Sequence, residues 1–223
     1  MTHRSLLLFT KSPQAEALAK RLPFAESCAL FQQFLQAWVR RAEAVGATVR
    51  VLCPEDSLAA LGHLLPGVSL RAQQGDSFAQ RLQHAFAQSF AEGAGTVLLV
   101  GGDTAPPNAA ALAEAFAHLE QEAPASVLGP SLDGGVFLIG ANHLPSALLA
   151  NIPWHTPEVG IALRRNAAVL GLHVLSLLPR PDVDCRADLA AYCQELAQLN
   201  PSSRSPRSNR RRLLPVRAPP RLS

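Results

Sequence analysis

Carboxylates stand at three places where a short apolar run of this chain gives way to a glycine-rich or extended loop. Asp103 follows residues 96–100 and the pair Gly101-Gly102, Asp133 precedes Gly134-Gly135, and Asp182 and Asp184 are spaced as Asp-Val-Asp. In an extended segment residues two apart point the same way, so Asp182 and Asp184 can reach one hard cation such as Mg²⁺. Glycines let backbone approach a ligand closely, and a turn at Asp133 can offer N–H groups to an anion. Each position also has a purely structural use. Asp184 can cap the helix after it, and Asp133 ahead of two glycines suits an ordinary turn. Lys11, Lys20 and Arg21 follow the first apolar run in one loop and suit a nucleotide's phosphates, or simply a basic surface. Walker and G-x-G-x-x-G patterns are absent, as are G-x-S-x-G and H-E-x-x-H. P-loop NTPases, dinucleotide dehydrogenases and the common hydrolases therefore lose support.

The elements that must position these groups alternate. Strands are predicted at 6–10, 48–52, 68–72, 96–100, 126–128, 136–139 and 172–178. Helices are predicted over 24–46, from Asp76 or Ser77 to about 92, over 108–121, from Thr156-Pro157-Glu158 to near Gly171, and from Asp184 to about 199. Thr156 is read as a cap with Pro157 at the first helical position. Strands separated by helices imply βαβ units, a mostly parallel sheet and helices on both faces. The short connection through Asp133-Gly134-Gly135 breaks the alternation and predicts one antiparallel insertion. Ligands of such sheets gather beyond the C-terminal strand ends, which is where the carboxylates fall.

The chain has 223 residues, 48% hydrophobic and 17% charged, enough for one sizeable core and too apolar for disorder. Its net charge of +3 is uneven. Residues 201–223 hold seven arginines and no acid, which leaves 13 basic and 17 acidic side chains in residues 1–200. One domain over 1–200 and a disordered Arg/Pro/Ser-rich tail over 201–223 are expected, with nucleic acid not the expected partner. Cys28, Cys53, Cys185 and Cys193 show no metal or redox spacing and are read as buried free thiols. No secretory leader and no membrane-spanning run is found, so a cytoplasmic location is expected.

Several segments together resemble a known group. They are Phe9-Thr10-Lys11-Ser12-Pro13 through Arg21-Leu22, Gln74-Gly75-Asp76 with Arg81, Gly102-Asp103-Thr104, the run from Val127 to Gly135, Trp154, and Asp182-Val183-Asp184 with Asp188-Leu189. This order is similar to the bacterial GT-A-fold glycosyltransferase-like family of the selenodomain-associated transferase type, related to molybdenum-cofactor and 2-phospholactate guanylyltransferases. The resemblance covers about residues 5 to 195 and implies a GT-A-like, Rossmann-like α/β fold. It implies a transferase using a nucleotide-activated donor with Mg²⁺ or Mn²⁺ on the diphosphate, most readily a glycosyltransferase acting on a small-molecule acceptor. A nucleotidyltransferase taking NTP, and a nucleotide-binding module that has lost the chemistry, are the alternatives. By the same resemblance Asp103, Asp182 and Asp184 are candidate metal ligands and Asp103 and Asp133 candidate catalytic residues. Lys11, Lys20, Arg21, Gly102, Gly134 and Gly135 are candidate nucleotide and phosphate binders. The chain departs from the family pattern at Glu16, where glycine is usual, and at Ala79, Ala105 and Val136.

Overall fold

The structure, a computed structural model, describes residues 2–199. Residues 2–189 form one unit that carries the whole sheet, and residues 190–199 belong to a second unit, in which only the rest of the last helix is described. The tail expected at 201–223 lies outside the described residues.

Apolar triplets build the centre. In β1 (Arg4–Phe9), Leu6, Leu7 and Leu8 are all fully buried, because consecutive side chains of a strand point to opposite faces and both faces are covered. Leu6 and Leu8 meet Leu35 and Trp38 of α2 (Phe24–Ala44), Leu61 of α3 (Leu58–Leu64), and Leu112 and Phe116 of α5 (Ala109–Gln121). Leu7 faces the other layer, with Leu82 and Phe86 of α4 (Phe78–Ala91) and Leu163 of α6 (Val159–Val169). Burying each leucine contributes roughly 1.5–3 kcal/mol, so both layers are held by the same strand.

The remaining strands are β2 (Thr48–Cys53), β3 (Ser69–Ala72), β4 (Thr96–Gly101), β5 (Ala125–Pro130), β6 (Val136–Ala141) and β7 (His173–Ser176). Their order in the seven-stranded sheet is β3-β2-β1-β4-β6-β5-β7. Only β6 runs antiparallel, to β4 and β5, and every other pairing is parallel. Phe9 is level with both Leu52 and Gly101, so the loops after β1, β2 and β4 leave the sheet along one edge. The reversed β6 enters at that edge through Val136, opposite Pro130 of β5. The mixed α/β sheet with its antiparallel insertion is therefore as expected.

Differences from the sequence reading are two short helices and several caps and ends. The segment after β1, read as a loop, holds helix α1 (Pro13–Ala19), with Ser12 accepting from the Ala15 amide at 3.2 Å and Pro13 in the first turn. A second helix missed in sequence, α3, follows a 3-10 turn at Glu55–Ser57. The helix expected from Thr156 begins at Val159, because the Thr156 hydroxyl donates back to the Pro153 carbonyl at 2.8 Å and the Thr-Pro-Glu run forms a turn. The last helix, α7 (Arg186–Leu199), is not capped by Asp184. Asp188 reaches back to the Asp184 and Cys185 amides at 3.1 and 2.9 Å. Cys28 and Cys53 are buried on α2 and β2, whereas Cys185 and Cys193 are exposed, since they lie before and along α7 on positions that face solvent. Among the described residues no helix is long and apolar enough to cross a membrane.

Candidate active site

The strand edge opens into a cleft of about 1010 Å³, lined by residues from the ends of β1 to β4, from the β5–β6 loop and from the segments before α6 and α7. Backbone pairing continues past the strands and draws the carboxylate loops together. Arg180 donates its amide to Pro130 and accepts from Leu132, both at 3.0 Å, which lays the segment after β7 beside the loop after β5. Val183 is fully buried and donates to the Asp103 carbonyl at 3.3 Å. Loops after β4, β5 and β7 thus meet at one point.

Two glycines are required for this approach. A Cβ on Gly102 would stand 2.2 Å from the Thr10 hydroxyl oxygen, so only glycine lets the β1 and β4 loops touch. Gly134 has φ +96°, and a Cβ there would stand 2.2 Å from the Pro157 carbonyl oxygen. The same carbonyl-rich corner is held by Gly160 donating to the Gly134 carbonyl at 2.9 Å, so the loop bearing Asp133 is seated on the start of α6. Asp133 accepts from the Gly135 amide at 2.9 Å, the turn role expected of it, and still lines the cleft. From the opposite layer, the Trp38 indole donates to the Thr104 carbonyl at 2.9 Å and fixes the loop after Asp103.

Asp133, Asp182 and Asp184 each present a carboxylate oxygen within 4.8 Å of the others. This trio differs from the set expected from the resemblance by holding Asp133 in place of Asp103. Lys20 is paired with both Asp103 and Asp184. Its ammonium donates to Asp103 at 2.6 Å, Asp184 at 2.7 Å and the Val183 carbonyl at 2.9 Å, with Glu16 at 3.5 Å one helical turn back. Burial alone would lower the Lys20 pKa, but the charge and hydrogen bond of Asp103, with Asp184 and Glu16, outweigh it and hold it raised. Lys20, a candidate phosphate binder by the resemblance, is thus a clamp on two carboxylates. Lys11 lies at the mouth 3.6 Å from Glu16 and is about half exposed. Arg21 is exposed with φ 53° and is not among the lining residues.

Asp182 is the least exposed member of the trio. Burial pushes its carboxyl up to about 6; a hydrogen bond from Thr104 opposes the rise, and the negative charges of Asp103 and Asp133 add to it. Five carboxylates, Glu16, Asp103, Asp133, Asp182 and Asp184, line this part of the cleft against the two ammonium groups of Lys11 and Lys20. The donor set is all oxygen, which is the set a hard divalent cation takes, so the residues fit Mg²⁺ or Mn²⁺.

Sequence reasoning missed the clamp and the aromatic lining. The Ser12-Pro13 start of α1 was the available signal for the first, since it puts Glu16 and Lys20 four apart on one helix face. Phe78 is packed edge-on against Phe9 at 5.7 Å and Trp154 at 5.2 Å, and it lies 4.8 Å from the His155 ring. All four line the cleft.

Solved structures share this architecture. A candidate nucleotide-diphospho-sugar transferase of Desulfovibrio desulfuricans G20 is 24% identical, with a TM-score of 0.76 over 92% of this chain and 90% of that one. CMP:2-keto-3-deoxy-manno-octonic acid synthetase complexed with CTP gives 13% identity and a TM-score of 0.58, covering 89% of this chain and all of the other. A nucleotidyl transferase of Methanothermobacter thermautotroptrophicus gives 14% and 0.58, covering 90% of this chain and all of its own. At these identities the likeness establishes the fold, which is GT-A-like, as in nucleotidyl and nucleotide-sugar transferases. No curated protein matches the sequence. The chain belongs to the family described as an uncharacterized protein conserved in bacteria (DUF2064), whose match spans residues 38–156, more than half of its length.

Proposed function

We propose that this protein is a divalent-metal-dependent transferase that takes a nucleotide-activated donor and delivers the activated group to a small-molecule acceptor. The observation that carries this reading is the convergence of Asp133, Asp182 and Asp184 within 4.8 Å at the C-terminal strand edge of a GT-A-like sheet. Those three residues would hold Mg²⁺ or Mn²⁺, which when bound neutralises charge on a leaving diphosphate. The remaining roles belong to the chain itself. Lys20 fixes Asp103 and Asp184 in place, Thr104 orients Asp182, and Lys11 is the exposed cation positioned to meet phosphate oxygens. Catalysis of this kind is positioning plus electrostatics.

Glycosyl transfer is the first reading within this class, supported by the family resemblance and by the neighbour described as a nucleotide-diphospho-sugar transferase. Nucleotidyl transfer is the second, supported by neighbours named for that chemistry, one of them complexed with CTP. A thermal-shift series with UDP- and GDP-sugars and with the four NTPs, each with and without Mn²⁺, separates them. Ligand at 100 times its Kd stabilises the native state by about 2.7 kcal/mol. A Mn²⁺-dependent rise with a sugar nucleotide is expected. A rise with NTPs alone selects nucleotidyl transfer, and no Mn²⁺-dependent rise with any nucleotide overturns both readings in favour of a module without the chemistry.

A further inference from the structure

One wall of the cleft is chemically unlike the carboxylate corner. It is formed by the first turns of α4 and by the segment before α6, and it presents Phe78, Trp154 and His155 with Arg81 one turn beyond Phe78. Phe78 and Trp154 are partly buried and His155 is exposed, and the rings close on one another at 4.8 to 5.2 Å, leaving apolar surface on the cleft side. His155 holds its ring against Phe78 with φ 67°, a backbone region that costs a non-glycine residue energy and persists where surroundings enforce it.

Two donors in this wall have nothing to bond. The Nε atom of Arg81 and the indole nitrogen of Trp154 are both shielded from solvent and lack a hydrogen-bond partner. A buried donor left unpaired is destabilising, and more so when it belongs to a charged group. Arg81 also has no ion pair among the described residues, whereas both lysines in the cleft face carboxylates. A guanidinium that lines the cleft beside aromatic rings without an acid of its own is satisfied by acceptor-only oxygens. A nucleobase edge mixes donors and acceptors and carries no charge, so it would leave the guanidinium unbalanced. Ring faces beside such donors suit the C–H faces of a sugar.

We propose that this wall is the subsite for the second substrate and that this substrate is an anionic sugar, phosphorylated or carboxylated. Its acidic oxygens meet the guanidinium of Arg81, which lines the cleft with no ion pair among the described residues, and its ring lies against Trp154 and Phe78. Naming it the second substrate rests on the transferase reading above, while the subsite rests on the wall alone.

The test uses the full chain and its own tryptophans. Trp38 is fully buried, so quenching of fluorescence on titration reports Trp154, and Trp154→Phe checks that assignment. The probes are glucose 1-phosphate, glucuronate, glucose and inorganic phosphate. Glucose 1-phosphate or glucuronate should bind at least about tenfold more tightly than glucose, and Arg81→Gln should remove that advantage while Arg81→Lys keeps part of it. Equal binding of glucose and both anionic sugars, no binding by any sugar, or an unaltered advantage in Arg81→Gln overturns the proposal. Inorganic phosphate binding as tightly as glucose 1-phosphate overturns its sugar half. Stabilisation by Mn²⁺ and nucleotide, measured on the same samples, keeps the two readings apart. Nucleotide without sugar binding overturns the subsite, and sugar without nucleotide binding overturns the transferase reading.

Discussion

The two linings of the cleft are unbalanced in opposite senses. The carboxylate corner is built from loops after β4, β5 and β7 and carries more negative charge than its two lysines offset. The aromatic wall, built on α4 and the turn before α6, is neutral in its packing and holds a guanidinium that has no ion pair among the described residues. Native structures ordinarily pair their buried polar groups, and the proposed cation and anionic sugar would each remove one of these two imbalances. The difference also says where stability and function should part company.

The largest effect is expected at Asp182, the least exposed of the three carboxylates. Asp182→Asn keeps an oxygen to accept from Thr104 and removes one negative charge from among Asp103, Asp133 and Asp184. Mn²⁺ affinity should fall about a hundredfold or more, equivalent to about 2.7 kcal/mol, while the metal-free protein becomes no less stable and melts at the same or a higher temperature. Calorimetric titration with Mn²⁺ and a melting curve in chelator check both. A metal-free variant that melts lower would break the comparison, because the corner would then be held together by the charge it is said to suffer.

The aromatic wall should respond in the ordinary way. Phe78→Ala removes the ring on which Phe9, Trp154 and His155 converge, and a partly buried phenylalanine of this kind should cost about 2 to 2.5 kcal/mol in urea unfolding. Mn²⁺ should not restore it. The lysine clamp is the contrasting case. Lys20→Met leaves Asp103 and Asp184 facing each other without their shared cation, and Asp184 is half exposed, so water softens the loss to about 1.5 kcal/mol. Here millimolar Mn²⁺ should restore most of the stability, since a bound ion supplies what the ammonium did. Failure of Mn²⁺ to rescue Lys20→Met, with wild type binding the ion normally, would show that the clamp positions backbone through Val183 and does not serve as a charge.

How far the sequence exposed this arrangement follows the same division. The strands, the single reversed β6 and the positions of Asp103, Asp133, Asp182 and Asp184 were legible, because a carboxylate just past a buried parallel strand is brought to one edge by topology alone. Which three of those acids lie within 4.8 Å of one another was not, since backbone bonds of Arg180 and Val183 draw the loops together, and neither those bonds nor the seven-residue helix α1 that places Lys20 is visible in composition. The wall was hidden for a different reason. Phe9, Phe78 and Trp154 are far apart in sequence, and each taken alone reads as core; only the packing of α4 beside the turn before α6 leaves them facing a cleft. Thr156 misled because it caps by a turn bond to Pro153 and not by a helical amide.

The smallest effect is expected away from both linings, where charges are balanced. Glu92, at the end of α4, is paired with Arg71 of β3 and Arg50 of β2. The hydrogen bond from Arg71, against a small opposing effect of burial and with Arg50 adding its charge, holds the Glu92 carboxyl below its usual range. A depressed carboxyl contributes stability above its unfolded pKa, near 4.3, and loses it as pH falls through the folded value. The pair is partly exposed and screened, so Glu92→Gln should cost under about 0.5 kcal/mol at pH 7, and the difference from wild type should vanish by pH 3. Urea midpoints at the two pH values measure it. A cost near that of Phe78→Ala would mean that ion pairs throughout this protein are worth far more than exposed pairs usually are. The excess charge at Asp133, Asp182 and Asp184 would then be too costly to leave without a tightly bound ion.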